Sequence, residues 1–125
     1  MSRPATTPSV DVSTAARFVD QKAPAPGVLL DVRERDEHEE MRVPGAVLMP
    51  LSGFAETFGS LPRDRPILVM CASGQRSLAA ADHLLGQGFT DVTNVTGGII
   101  AWQKAGLPVK TGPVEEGEGD VPADR

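Results

Sequence analysis

Four short apolar runs stand out along the chain, each bounded by residues that interrupt regular structure. Val28-Leu29-Leu30-Asp31-Val32 follows Pro24-Ala25-Pro26-Gly27, and Ala46-Val47-Leu48-Met49 lies between Pro44-Gly45 and Pro50. Ile67-Leu68-Val69-Met70 follows Pro66, and Val92 to Val95 forms a fourth, weaker run. Their length and bounding breakers predict buried strands, with Ser9-Val10-Asp11 as a short edge strand. Between the runs the apolar spacing becomes helical. Ser13 or Thr14 can cap a segment through Val19, and Phe54, Phe58 and Leu61 predict a short helical stretch. The clearest helix runs from Ser77 to about Gly86, with Leu78, Ala81, Leu84 and Leu85 on one face. Gly86-Gln87-Gly88 suits its C-cap, and Gly97-Gly98 opens a last helix over Ile99 to Ala105. Continuous apolar strands alternating with helices predict a single α/β domain whose mainly parallel sheet is covered on both faces. Ligands bind such sheets beyond the carboxyl ends of the strands.

Composition alters this picture only at the ends. The chain has 125 residues, enough for one domain with a real core. Residues 1–8 are rich in Pro, Thr and Ser, and residues 112–125 in Gly, Pro and acids, so both ends are expected to be disordered around a body at 9–111. The net charge of −5 sits mostly in the last thirteen residues, which carry −4. The body is therefore near neutral, and its basic residues do not cluster with aromatics, which argues against nucleic-acid binding. No leader-like or membrane-spanning run is present, so the expected location is the cytoplasm, with no membrane partner.

The only cysteine ends the third run, in Cys71-Ala72-Ser73-Gly74-Gln75-Arg76-Ser77. A strand that stops at Met70 and a helix that starts near Ser77 put this loop at a helix N-terminus, where unpaired N–H groups favour negative charge. Ala72, Ser73 and Gly74 are small enough for the chain to curl into an anion nest, with Gln75 completing the loop. Ser77 is the candidate N-cap, and Arg76 adds a permanent positive charge. These features all favour the thiolate over the thiol. A lone cysteine after an apolar strand is also a common core residue, and only the polar loop that follows argues for chemistry. The C-x4-R spacing is one residue shorter than the C-x5-R loop of cysteine-dependent phosphatases, so its nest suits a single terminal sulfur better than a tetrahedral phosphate.

With that loop in place, three stretches in order resemble the rhodanese (sulfurtransferase) family in its single-domain form. They are LLDVRERDEHEEMRVPGAVLMPL (29 to 51), ILVMCASGQRSLAAADHLLGQGFTDV (67 to 92) and GGIIAWQKAGLPV (97 to 109). The resemblance implies a rhodanese-like fold with a five-stranded, mainly parallel sheet and helices on both faces. It implies that Cys71 takes a sulfane sulfur from thiosulfate or from a low-molecular-weight or protein persulfide. The sulfur then passes to cyanide or a thiol acceptor, with no cofactor and no metal. Partners implied are thus a small-molecule donor, a thiol acceptor and, as a further candidate, a persulfide-carrying protein. Asp31 and Arg33 match the family's Asp-Val-Arg signature and are expected to brace the cysteine loop, or, with Glu34 and Glu37, to form a salt-bridged structural network. Trp102 is expected in the core.

Two departures from the family bear on function. Met41-Arg42-Val43 stands where the family commonly has Gly-His-Ile, and Arg42 is expected on the surface. Ala72 follows the cysteine where thiosulfate-using members often carry a cation or amide, which leaves Arg76 as the main cation of the loop. His38 and His83 are expected to be solvated, as is the acidic face of Glu34, Asp36, Glu37, Glu39 and Glu40. Two other readings stay open. One is a catalytically weak rhodanese-like binding or sensing module, and the minor one is a phosphatase-like activity.

Overall fold

The computed structural model describes residues 7–19 and 27–121. Residues 1–6, which hold most of the N-terminal segment, lie outside it, as do 20–26 and 122–125. The described chain forms β1 (Ser9–Val10), α1 (Val12–Val19), β2 (Val28–Asp31), α2 (Arg35–Glu40) and β3 (Val47–Leu48). It continues with α3 (Phe54–Thr57), β4 (Ile67–Met70), α4 (Gln75–Gly86), β5 (Val92–Val95) and α5 (Gly98–Lys104). Single 3-10 turns at Leu51–Gly53 and Phe58–Ser60 flank α3. All five strands are parallel, in the order β1-β5-β4-β2-β3.

Side chains alternate along each strand and divide the core in two. Val28, Leu30, Ile67, Val69 and Cys71 pack with Phe54, Leu61, Ala81 and Leu84, so α3 and α4 cover that face. Leu29, Leu68, Met70 and Val95 pack with Ala15, Ile99 and Trp102, so α1 and α5 cover the other. Trp102 is a core residue whose indole N–H donates to the Pro108 carbonyl at 2.7 Å. Among the described residues no helix is long and apolar enough to cross a membrane.

The starts of α1 and α4 lie two or three residues before the sequence reading. Asp11, not Ser13 or Thr14, begins α1: its carboxylate accepts the Thr14 N–H at 2.9 Å and the Ser13 hydroxyl at 2.9 Å. Gly74, not Ser77, is the N-cap of α4, and Leu78 on that first turn is exposed.

The C-terminal segment is the largest correction. Residues 112–121 were expected to be disordered, and Arg42 exposed; instead they fold onto each other. Arg42 is wholly buried, with Nε and Nη2 donating to Glu118 at 2.6 and 3.0 Å and Nη1 to the Gly112 carbonyl at 2.7 Å. Its backbone pairs with Lys110 in both directions. The Leu48 N–H on the free side of β3 donates to the Gly119 carbonyl at 2.7 Å, and Val121 packs on the core. A guanidinium has five N–H donors, and burying it requires acceptors on every side. The segment supplies most of them. In return Arg42 holds the Glu118 carboxyl down to about 2.

Candidate active site

The chain runs from β2 outward to β3 and then returns to place β4 on the opposite side of β2. The carboxyl ends of β2 and β4 therefore sit side by side, with Asp31 in register with Met70. This is the point where an open parallel sheet reverses its winding and leaves a crevice. Asp31-Val32-Arg33 leaves one strand there, and Cys71 leaves the other.

Cys71 shares the side-chain parity of Ile67 and Val69, which aims its sulfur beneath the first turn of α4. The loop's orientation is set from the opposite side. Ile99 N–H donates to the Cys71 carbonyl at 2.9 Å, and Ile100 N–H to the Ala72 carbonyl at 3.1 Å. In a trans peptide the N–H points away from its carbonyl. Turning the Ala72 carbonyl towards α5 therefore turns the Ser73 N–H towards the sulfur. Gly74, at φ +103°, continues the curl, and its N–H donates to Sγ at 3.1 Å. The close approach of α5 depends on Gly98, where a Cβ would stand 2.3 Å from the Cys71 carbonyl oxygen.

Burial, with only 1% of Cys71 exposed, pushes its thiol up. Hydrogen bonds from Ser77, Gly74 and Ser73 outweigh that penalty and bring the thiol below its ordinary value. Of these, the backbone N–H groups carry the effect. The Ser77 hydroxyl has one proton, and it goes to Asn94 Oδ1 at 2.6 Å. Asn94 in turn reaches back towards the Gly74 carbonyl, at 3.5 Å, and so ties β5 to the loop.

Asp31 and Arg33, expected to brace the cysteine loop, are joined to each other and to α2. The Arg33 guanidinium donates through Nε and Nη2 to Asp31, at 2.8 to 3.2 Å, and to the carbonyls of Glu37 and Met41. Both side chains are buried. Burial alone raises the Asp31 carboxyl, but its bonds to His38 and Arg33 hold it below the ordinary value. His38, expected in solvent, is fully buried with Nδ1 2.9 Å from Asp31. His83 stays exposed, its ring edge-on to Phe58.

Glu37, read from the sequence as part of a solvated face or of a salt-bridged network with Asp31 and Arg33, pairs with the cysteine loop itself. Its two carboxylate oxygens accept Nη1 and Nη2 of Arg76, each at 2.8 Å. One of those oxygens also accepts the Glu34 N–H at 2.8 Å, as part of a capping box at the start of α2. Glu37 is held low by Arg76, and the Arg76 guanidinium is pushed up by Glu37. Asn94 and the Gly97-Gly98 pair were likewise not singled out as site residues.

The rhodanese-like domain family model matches residues 11–105. A protein named sulfurtransferase from Allochromatium vinosum is 37% identical over 82 residues, covering 66% of this chain and 77% of its own length. Thiosulfate sulfurtransferase GlpE of Vibrio cholerae is 32% identical over 101 residues, 81% of this chain and 92% of its own. The crystal structure of a rhodanese-related protein from Thermoplasma volcanium superposes with a TM-score of 0.73 at 30% identity, over 82% of this chain and 97% of that one. Family model, relatives and fold agree over nearly the whole body, and the chain belongs to the rhodanese-like domain family.

Proposed function

We propose that this protein is a sulfurtransferase that carries a sulfane sulfur on Cys71. The observation that carries the reading is the Cys71 sulfur held under the start of α4, accepting the Gly74 N–H at 3.1 Å with its thiol brought below the ordinary value. Such a thiolate is both nucleophile and leaving group. In the first step Sγ attacks the outer sulfur of the donor and a new S–S bond forms. The donor's own bond to that sulfur breaks, and its electron pair leaves with sulfite from thiosulfate, or with a thiolate from a persulfide. In the second step an acceptor thiolate, or cyanide in an assay, attacks the outer sulfur and Cys71 regains its thiolate. Between the steps, the N–H groups that faced the thiolate lie where the negative charge of the persulfide develops.

Phosphate transfer has less support. Arg76, which would have to grip a phosphate, is already bound through both of its terminal nitrogens. The test is intact mass under non-reducing conditions, with thiosulfate and with glutathione persulfide as donors. A gain of one sulfur on the wild type but not on Cys71→Ser, reversed as cyanide becomes thiocyanate, is expected. No gain from either donor would leave a binding module and end the enzyme reading.

A further inference from the structure

The residues 71–77 contain one basic side chain, Arg76, and its charge is already spoken for. Glu37 meets it with two bonds of 2.8 Å, a planar fork-to-fork pairing that also fixes where the guanidinium points. Charges at the loop can then be counted. The Cys71 thiolate and Glu37 contribute two negative charges and Arg76 one positive. Behind them Asp31 and Arg33 offset each other at 2.8 Å. Among the described groups counted here, a donor therefore meets an ionised site with one negative charge in excess, set against backbone N–H dipoles. Thiosulfate arrives as a dianion and needs a cation that this loop does not leave free. The sulfane end of a thiol persulfide carries at most a single negative charge, which two or three N–H groups can hold.

We infer that Glu37 is a donor-specificity residue: by neutralising Arg76 it turns the Cys71 site away from thiosulfate and towards thiol persulfides. The inference rests on the sulfurtransferase reading above and narrows its donor. The preferred step is then balanced without any oxidant. Cys71 thiolate and R–S–SH give Cys71–S–SH and R–S⁻, with one S–S bond formed and one broken. Glu37 does not touch the reacting atoms; it acts through Arg76, as a positioning residue.

The experiment compares thiosulfate with glutathione persulfide as donors, in steady state, for four proteins. In the wild type kcat/KM is expected to favour glutathione persulfide. Glu37→Gln keeps an oxygen for the Glu34 N–H and removes the charge, so it frees Arg76 with the capping box intact. The kcat/KM ratio of thiosulfate to persulfide should rise about fivefold or more, mainly through a lower KM for thiosulfate, as expected for one uncompensated charge near the donor. Adding Arg76→Gln to Glu37→Gln should cancel that gain, which a mere loosening of α2 would not do. Ala72→Lys, which supplies a cation and leaves the Glu37–Arg76 pair alone, should shift the ratio in the same direction and serves if Glu37→Gln fails to fold. An unchanged ratio in Glu37→Gln and Ala72→Lys, or a wild type that prefers thiosulfate, overturns the inference while sulfur loading leaves the enzyme reading standing. A wild type that takes sulfur from neither donor overturns both.

Discussion

Replacing Gly98 with alanine should damage the cysteine loop from behind, without touching Cys71. Gly98 sits at φ +57°. A Cβ there would lie 2.3 Å from the Cys71 carbonyl oxygen and 2.6 Å from that of Ala72, both backbone atoms that no rotamer change can move. Ordinary carbon–oxygen contact needs roughly an ångström more, so α5 must retreat from the loop. Retreat weakens the two bonds from Ile99 and Ile100 that orient the loop, each worth about 1 kcal/mol. Alanine in a left-handed conformation adds roughly 1 kcal/mol. A total near 3 kcal/mol corresponds to a fall in Tm of about 10 °C for a domain of this size. Calorimetry would measure the fall, and the pH dependence of Cys71 alkylation would give a second readout. With the Ala72 carbonyl released, the Ser73 and Gly74 N–H groups lose their aim and the alkylation midpoint should rise towards that of an ordinary thiol. A Gly98→Ala protein that melts within about 2 °C of the wild type and alkylates with the same pH profile would refute the view that α5 sets the loop.

Three further outcomes are expected. Ending the chain at Thr111 strips Gly112, Pro113 and Glu118 from Arg42 and uncovers β3; Tm should fall by about 5 °C or more, and unaltered melting would show that the segment adds nothing. Asp31→Asn should cost about 3 kcal/mol in urea melts at pH 7, because it leaves Arg33 buried without its counter-charge. The folded Asp31 carboxyl lies below the ordinary 3.8, so its contribution is full above that value and is lost as pH falls through the folded value. The difference between variant and wild type should therefore shrink in acid, and a constant difference would contradict the pairing. Ser77→Ala should destabilise by about 1–2 kcal/mol through the orphaned Asn94 oxygen, and leave the Cys71 alkylation midpoint almost in place. A midpoint raised by about a pH unit would put the hydroxyl proton on the sulfur instead.

The strands, most of the helices and the place of Cys71 at the carboxyl end of a strand could be read from the sequence because each depends on neighbours in the chain. Ile67-Leu68-Val69-Met70 is apolar throughout and follows a proline, and Cys71 occupies the carboxyl end of that strand whatever surrounds it. The small residues after it lead into a helix start by the same local logic. What the sequence could not decide were the partners of charged side chains. Glu37 and Glu118 look like solvated acids in an acidic stretch, because composition records a charge and says nothing of what faces it. Only the fold brings Arg76, thirty-nine residues away from Glu37, within 2.8 Å of its carboxylate. Only the fold closes residues 112–121 over Arg42, a partner seventy-six residues from Glu118. A helix or strand forms from contacts a few residues apart, whereas an ion pair exists only after the sheet has set which ends lie side by side. Whether this loop presents a free cation was decided at that later stage, by tertiary packing.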